Sequence, residues 1–315
     1  MEFLFRVLLE LFGFVLGSPL YALCASLEFA VDMEKRAEEY IRPVFSEWSR
    51  GQVMTSVGEA RFPVFMVEFQ DVKYSDRMVS QEELDRWIFS GEGSVSDYYA
   101  VSSHGRMKME GDIYFYTAQK DIADYEDEEA LEGLILEILE YYDDEIDFSQ
   151  YDRNGDLVMD SLVISVPSGG DVDFWWGATH YWYYNWGHQI DGIYIMNFVV
   201  CDEQPYPNEK RYYQATLEHE LGHCMGLPDY YKYSYEGIDF EGMNGIAGKE
   251  RMDDSEGDFC QFSKLQLGWL KWEQVQIMPG DADRATFYLP PVKDGGCLLI
   301  FPKGERQDFQ GEYFL

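Results

Sequence analysis

The sequence predicts an α/β (α+β) domain built on a mixed sheet. Apolar, strand-like runs alternate with helical stretches along the chain, which implies layers of sheet and helix around a shared core. Residues 128–142 carry the strongest helical period: Leu131, Leu134, Ile135, Ile138, Leu139 and Tyr142 recur at three- and four-residue spacing and lay one apolar stripe against a core. Hydrophobic residues make up 46% of the chain and aromatics 17%, the composition of a folded globular protein and not of a disordered one.

Each element has its own signal. The chain starts MEFLFRVLLELFGFVLGSPLYALCAS, largely apolar from Leu11 to Leu23 and closing on small residues. Residues 1–25 read as a secretory signal peptide cut near Ala25, with an amphipathic N-terminal helix as the alternative. Residues 26–60, with EKRAEEYIRPVF, read as a helical, pro-like segment, and residues 61–315 as the main domain. RFPVFMVEF is apolar throughout its centre and predicts a strand. Ser80 followed by Glu82 and Glu83 predicts a helix start, the helix running to Phe89. SVSDYYAVSSHGRM predicts a helix closing at Gly105, and MKMEGDIYFYTA alternates like a pair of strands. LVMDSLVISV and DGIYIMNFVVC each predict one buried strand, and residues 212–225 a helix.

Charge excludes some functions. With 24 Lys+Arg against 59 Asp+Glu, the formal net charge is -35. Such a surface repels phosphate backbones and anionic lipid, so nucleic acid is not an expected partner. No stretch after the first residues is long and apolar enough to span a membrane, so stable membrane insertion is not expected either. Of the five cysteines, Cys201, Cys224, Cys260 and Cys297 lie beyond the leader and show no CxxC pairing. One or two disulfides, or buried free thiols, both fit that pattern.

The chemistry concentrates at residues 219–229, HELGHCMGLPD. His219 and His223 stand four apart, so a helix projects both from one face, within reach of a single ion. Neutral imidazole nitrogens are good zinc ligands. Glu220, beside the first of them, is placed to take a proton from a water and return it to a leaving group without itself saturating the metal. Gly226 permits a positive φ and a sharp exit from the helix, and Pro228 prevents its continuation. Asp229 is thereby carried back as third ligand, with Glu236 and Asp239 as nearby competitors. Three protein ligands and one open position suit a catalytic zinc.

HELGHCMGLPDYY resembles the immune-inhibitor-A type of secreted bacterial metallopeptidases, a metzincin-like branch of the zinc peptidases. SVSDYYAVSSHGRMKMEG, IDFSQYDRNGDLVMDSLVISVPSG, DFEGMNGIAG and FCQFSKLQLGWL are similar to further segments of that family, in order, across residues 61–315. The resemblance implies a zincin fold, with the motif helix flooring a cleft between N- and C-terminal subdomains. It implies Zn2+ held by His219, His223 and Asp229, Glu220 as general base, and protein or peptide substrates. It also implies a Met-turn beneath the metal, best matched by Met243, with Met252 as the alternative. His104 stands where the family carries an aromatic residue, and the stretch before Met243 lacks the expected tryptophan.

Two further stretches stand out. DRNGDLVMD sets Asp152, Asn154 and Asp156 at alternating positions, with Asp160 following. Hard oxygen donors so spaced suit Ca2+, and a solvated acidic turn before a strand is the plainer alternative. FWWGATHYWYYNWGH packs aromatics that cover a core edge or line a cleft, and His180 within it reads as a packed residue, not a site residue. Together the readings give a secreted, calcium-braced zinc endopeptidase. The rival class is a non-catalytic, metal-containing surface-binding module.

Overall fold

The computed structural model describes residues 53–167, 177–181, 188–231, 249–254, 257–271, 274–278 and 284–300. The expected signal peptide, residues 26–52 of the 26–60 segment, Met243, Glu236, Asp239 and most of the aromatic stretch lie outside the described residues.

The protein is a mixed α/β structure around a mixed sheet, five-stranded among the described residues. In chain order the main elements are β1 (Gly58–Glu68), α1 (Gln81–Asp85), α2 (Val95–Ser102), β2 (Met107–Thr117), α3 (Glu128–Tyr142), β3 (Val163–Ser165), β4 (Ala178–Tyr181), β5 (His188–Ile190), β6 (Ile193–Ile195), β7 (Asn197–Cys201) and α4 (Lys210–Cys224). Short helices α5 (Arg251–Asp254) and α6 (Gln261–Gln266) follow, and then the parallel pair β8 (Val275–Met278) and β9 (Cys297–Ile300). The sheet order is β2-β1-β3-β7-β4, parallel except for β4, which runs antiparallel to β7.

Strand β1 shows why its sequence has no polar alternation. Phe62, Val64 and Met66 pack with α1, α2 and α4 on one face, whereas Phe65 and Val67 join the core that α3 covers on the other. A strand covered on both faces presents no side to water. Pro63 is tolerated here because pairing with β3 starts only at Val64↔Val163. Ser80, Ser94 and Asp127 cap α1, α2 and α3 by accepting from the backbone N–H three residues on. The α3 stripe is buried as its period predicts: Leu131, Leu134, Ile135, Ile138 and Leu139 are all in the second core.

Three strand expectations are corrected. MKMEGDIYFYTA is one strand, β2, paired in register with the whole of β1, and not a strand pair. Gly111 at its centre makes no turn. A Cβ there would fall 2.2 Å from the Phe62 carbonyl oxygen and 2.3 Å from the Phe89 ring, so the glycine serves close packing. DGIYIMNFVVC splits into β6, in a hairpin with β5, and β7, in the main sheet. Asp191 and Gly192 take φ of 47° and 82°, the left-handed pair of a tight hairpin turn. LVMDSLVISV is a strand only over Val163–Ser165; Leu157 has φ 67°, and the residues after it bridge to Tyr194. Cys201, Cys224, Cys260 and Cys297 are free thiols. Among the described residues no helix is long and apolar enough to cross a membrane.

Candidate metal centre

Helix α4 lies across β7 and β4 and buries Leu217, Leu221 and Cys224 against the first core. It ends in a Schellman arrangement. Gly226 has φ 93°, the Leu227 N–H reaches the Gly222 carbonyl at 3.1 Å, and the Gly226 N–H reaches the His223 carbonyl at 2.8 Å. This turn carries the chain back over the helix and delivers Asp229 to the two histidines.

The expected zinc ligands therefore meet. His219 Nε2 lies 2.9 Å and His223 Nε2 3.3 Å from Asp229 Oδ1. The imidazole rings stand nearly perpendicular, at 83°, with centroids 4.9 Å apart. The histidines are held from behind: His219 Nδ1 is 2.8 Å from the Arg251 carbonyl, and His223 Nδ1 is 2.8 Å from the Leu227 carbonyl. A carbonyl only accepts, so each Nδ1 carries a proton, and each Nε2 is left facing the Asp229 carboxylate. Two imidazoles that present Nε2 to one carboxylate form a donor set that would fit a zinc ion. Burial works to lower the His223 pKa, but the Asp229 and Glu220 carboxylates outweigh it, and the net shift is upward. In the absence of metal the site is thus inclined to hold a proton where a cation would sit.

Among the described residues, this is the single group of three or more His, Cys, Asp or Glu whose ligand atoms all lie within 4.8 Å of one another. Asp152, Asp156 and Asp160 do not form a second. Their loop is closed mainly on its own backbone. Asp152 accepts from the N–H groups of Gly155, Asp156 and Leu157, Asn154 from Asp156, and Asp156 from Val158. Asp160 accepts from the N–H groups of Arg61 and Arg153 through Oδ2, whereas its buried Oδ1 has no partner. Burial pushes its pKa up to about 7.

Glu220 is buried beside the ligands and is not one of them. Burial raises its pKa, against the downward pull of His223, His219 and Thr179. The Thr179 hydroxyl on β4 lies 2.9 Å from Glu220 Oε2 and 2.9 Å from the Glu220 carbonyl.

Further contacts were not legible in the sequence. Arg251 pairs with Glu218 at 2.7 Å, both side chains buried, and also reaches the Gly257 carbonyl and the Tyr98 hydroxyl. These bonds anchor the segment whose carbonyl orients His219. Met252, the alternative Met-turn residue, is fully buried and packs against Gly222, which lies between His219 and His223 in the helix. Met243 lies outside the described residues. His180 stacks on Phe198 at 4.9 Å and 10°, a packed residue away from the ligands.

No protein-family model matches the chain, and no curated protein does. Among solved structures it is similar to wild-type OgpA from Akkermansia muciniphila in two crystal forms, at 13% identity in each. In one form the match covers 57% of this chain and 51% of OgpA with a TM-score of 0.31; in the other, 58% and 52% with 0.30. The chain therefore spans about half the length of that protein, and a likeness so slight fixes neither fold nor function.

Proposed function

We propose that this protein is a secreted zinc endopeptidase of zincin type, with His219, His223 and Asp229 holding the ion and Glu220 as general base. One observation carries the reading. Two histidines with their Nδ1 atoms committed to carbonyls turn both Nε2 atoms onto one carboxylate, and a buried glutamate stands beside them outside the ligand set. A purely structural zinc site has no use for such a glutamate. Zinc bound there supplies Lewis acidity, polarising the scissile carbonyl and making water a nucleophile near neutral pH. Glu220 takes the proton from the attacking water and passes it to the leaving amine. Its raised pKa suits both halves of that task.

The sheet supports a peptide as substrate. Strand β4 ends the sheet order beside Glu220, and among the described residues nothing pairs with its outer edge. An open edge offers backbone donors and acceptors to an extended chain, a recurring way of holding peptides.

We also propose Ca2+ for the 152–160 loop. Asp152, Asn154, Asp156 and Asp160 fall at the first, third, fifth and ninth places of an EF-hand-like loop, with the Val158 carbonyl at the seventh. Leu157 adopts its left-handed φ at the sixth, where such loops turn on glycine.

The test is cleavage of casein by the zinc-loaded protein, with and without chelator, beside Glu220→Gln. The expected result is chelator-sensitive cleavage that falls by roughly 10²–10⁴-fold in the variant while zinc stays bound. Undiminished cleavage by Glu220→Gln refutes the mechanism. No cleavage by the zinc-loaded wild type favours the binding-module class.

A further inference from the structure

Glu220 has two carboxylate oxygens, and the structure treats them differently. Oε2 lies 2.9 Å from the Thr179 hydroxyl, which also lies 2.9 Å from the main-chain carbonyl of the same glutamate. One hydroxyl thus spans the side chain and backbone of one residue, whereas no described residue donates to Oε1. A glutamate on a helix otherwise moves among many rotamers, and only a partner fixed elsewhere can hold one of them.

Thr179 is such a partner. It is β-branched, on a strand, and in register with Val199 of β7, a setting that stiffens its χ1. Two residues earlier, just before β4 begins, Gly177 lets the chain approach α4 closely. A Cβ there would fall 2.6 Å from Thr216 Cγ2 and 3.8 Å from Glu220 Oε1. Gly177 and Thr179 together fit β4 against the one turn of α4 that carries Glu220.

We propose that Thr179 is the positioning residue of the reaction: its hydroxyl clamps Oε2, leaving Oε1 as the oxygen that meets the attacking water. This rests on the peptidase reading for its consequence, but the clamp itself is tested independently of activity.

The experiment uses the zinc-loaded protein and its Thr179→Val and Thr179→Ser variants. Valine keeps the shape and suits a strand, so the fold survives while the hydroxyl is lost. In crystals, the Glu220 carboxylate should rest on residue 179 in wild type and Thr179→Ser and leave that position in Thr179→Val. A carboxylate that stays in place in Thr179→Val overturns the proposal, whether or not the protein cleaves peptides. In kinetics, Thr179→Val should lower kcat by roughly 10–100-fold, with zinc content unchanged and KM within about twofold, and Thr179→Ser should restore most of the loss. An undiminished kcat in Thr179→Val, or a loss that serine does not restore, also overturns it. In a Glu220→Ala background, Thr179→Val should change the residual rate by less than about twofold. A full further loss there means that Thr179 acts through some other group and refutes the clamp.

Discussion

Gly222→Ala sets two opposing effects against each other on the helix that carries His219 and His223. The added Cβ would fall 2.6 Å from Met252 Sδ, 3.3 Å from Met252 Cε and 3.5 Å from the Phe259 ring. Relaxed contacts lie near ~3.5–4.0 Å, so the sulfur must retreat by about 1 Å. Met252 is fully buried, and its retreat forces the core to repack at a cost of about 1–3 kcal/mol. Replacing glycine by alanine inside a helix returns roughly 1 kcal/mol. The net expectation is a loss of about 0–2 kcal/mol in the wild-type background. In Met252→Ala the clash partner is gone, and Gly222→Ala should instead stabilise by roughly 1 kcal/mol. The two backgrounds should therefore differ by about 1–3 kcal/mol. Urea unfolding of the four proteins, followed by tryptophan fluorescence with chelator present, measures that coupling without the linkage to zinc. Additivity within about 0.5 kcal/mol would refute the placement of Met252 beneath the motif helix.

Two other perturbations test other parts of the molecule. Burial pushes the His180 pKa down from 6.5 to about 4, so the unfolded chain takes up the proton first. The stability this histidine allows is full above the unfolded pKa and falls as pH drops from 6.5 toward 4, by about 3 kcal/mol across that window. Urea midpoints measured across the window should show a shallower slope for His180→Phe, and an unchanged slope would place the proton uptake elsewhere. Adding millimolar Ca2+ should raise the Tm of the wild type by a few degrees and leave Asp152→Ala unmoved. Equal shifts in the two proteins would contradict a calcium site in the 152–160 loop.

How much of this was legible in the sequence depends on the range of the interaction. Helix α3 spans residues 128–142, the bounds its apolar period predicts, because a stripe against one core is a local pattern. His219, Glu220 and His223 are legible for the same reason, and the route to Asp229 follows from Gly226 and Pro228. The alternation of MKMEGDIYFYTA did not tell one strand from two, because Gly111 at its centre admits the Phe89 ring, a contact set by tertiary packing. The Asp191-Gly192 pair was a hairpin signal within a run read as one strand. Thr179 and Arg251 carry no local signal. They reach Glu220 and His219 from 41 and 32 residues away, and only the packing of β4 and α5 on α4 brings them there.

The central claim is one zinc ion on His219, His223 and Asp229. Anomalous diffraction collected on either side of the zinc absorption edge, from crystals equilibrated with zinc, tests it directly. The account predicts a peak bonded to His219 Nε2, His223 Nε2 and an Asp229 oxygen at ~2.0–2.2 Å. A site without a peak, or a peak whose third protein ligand is some other residue, would contradict it.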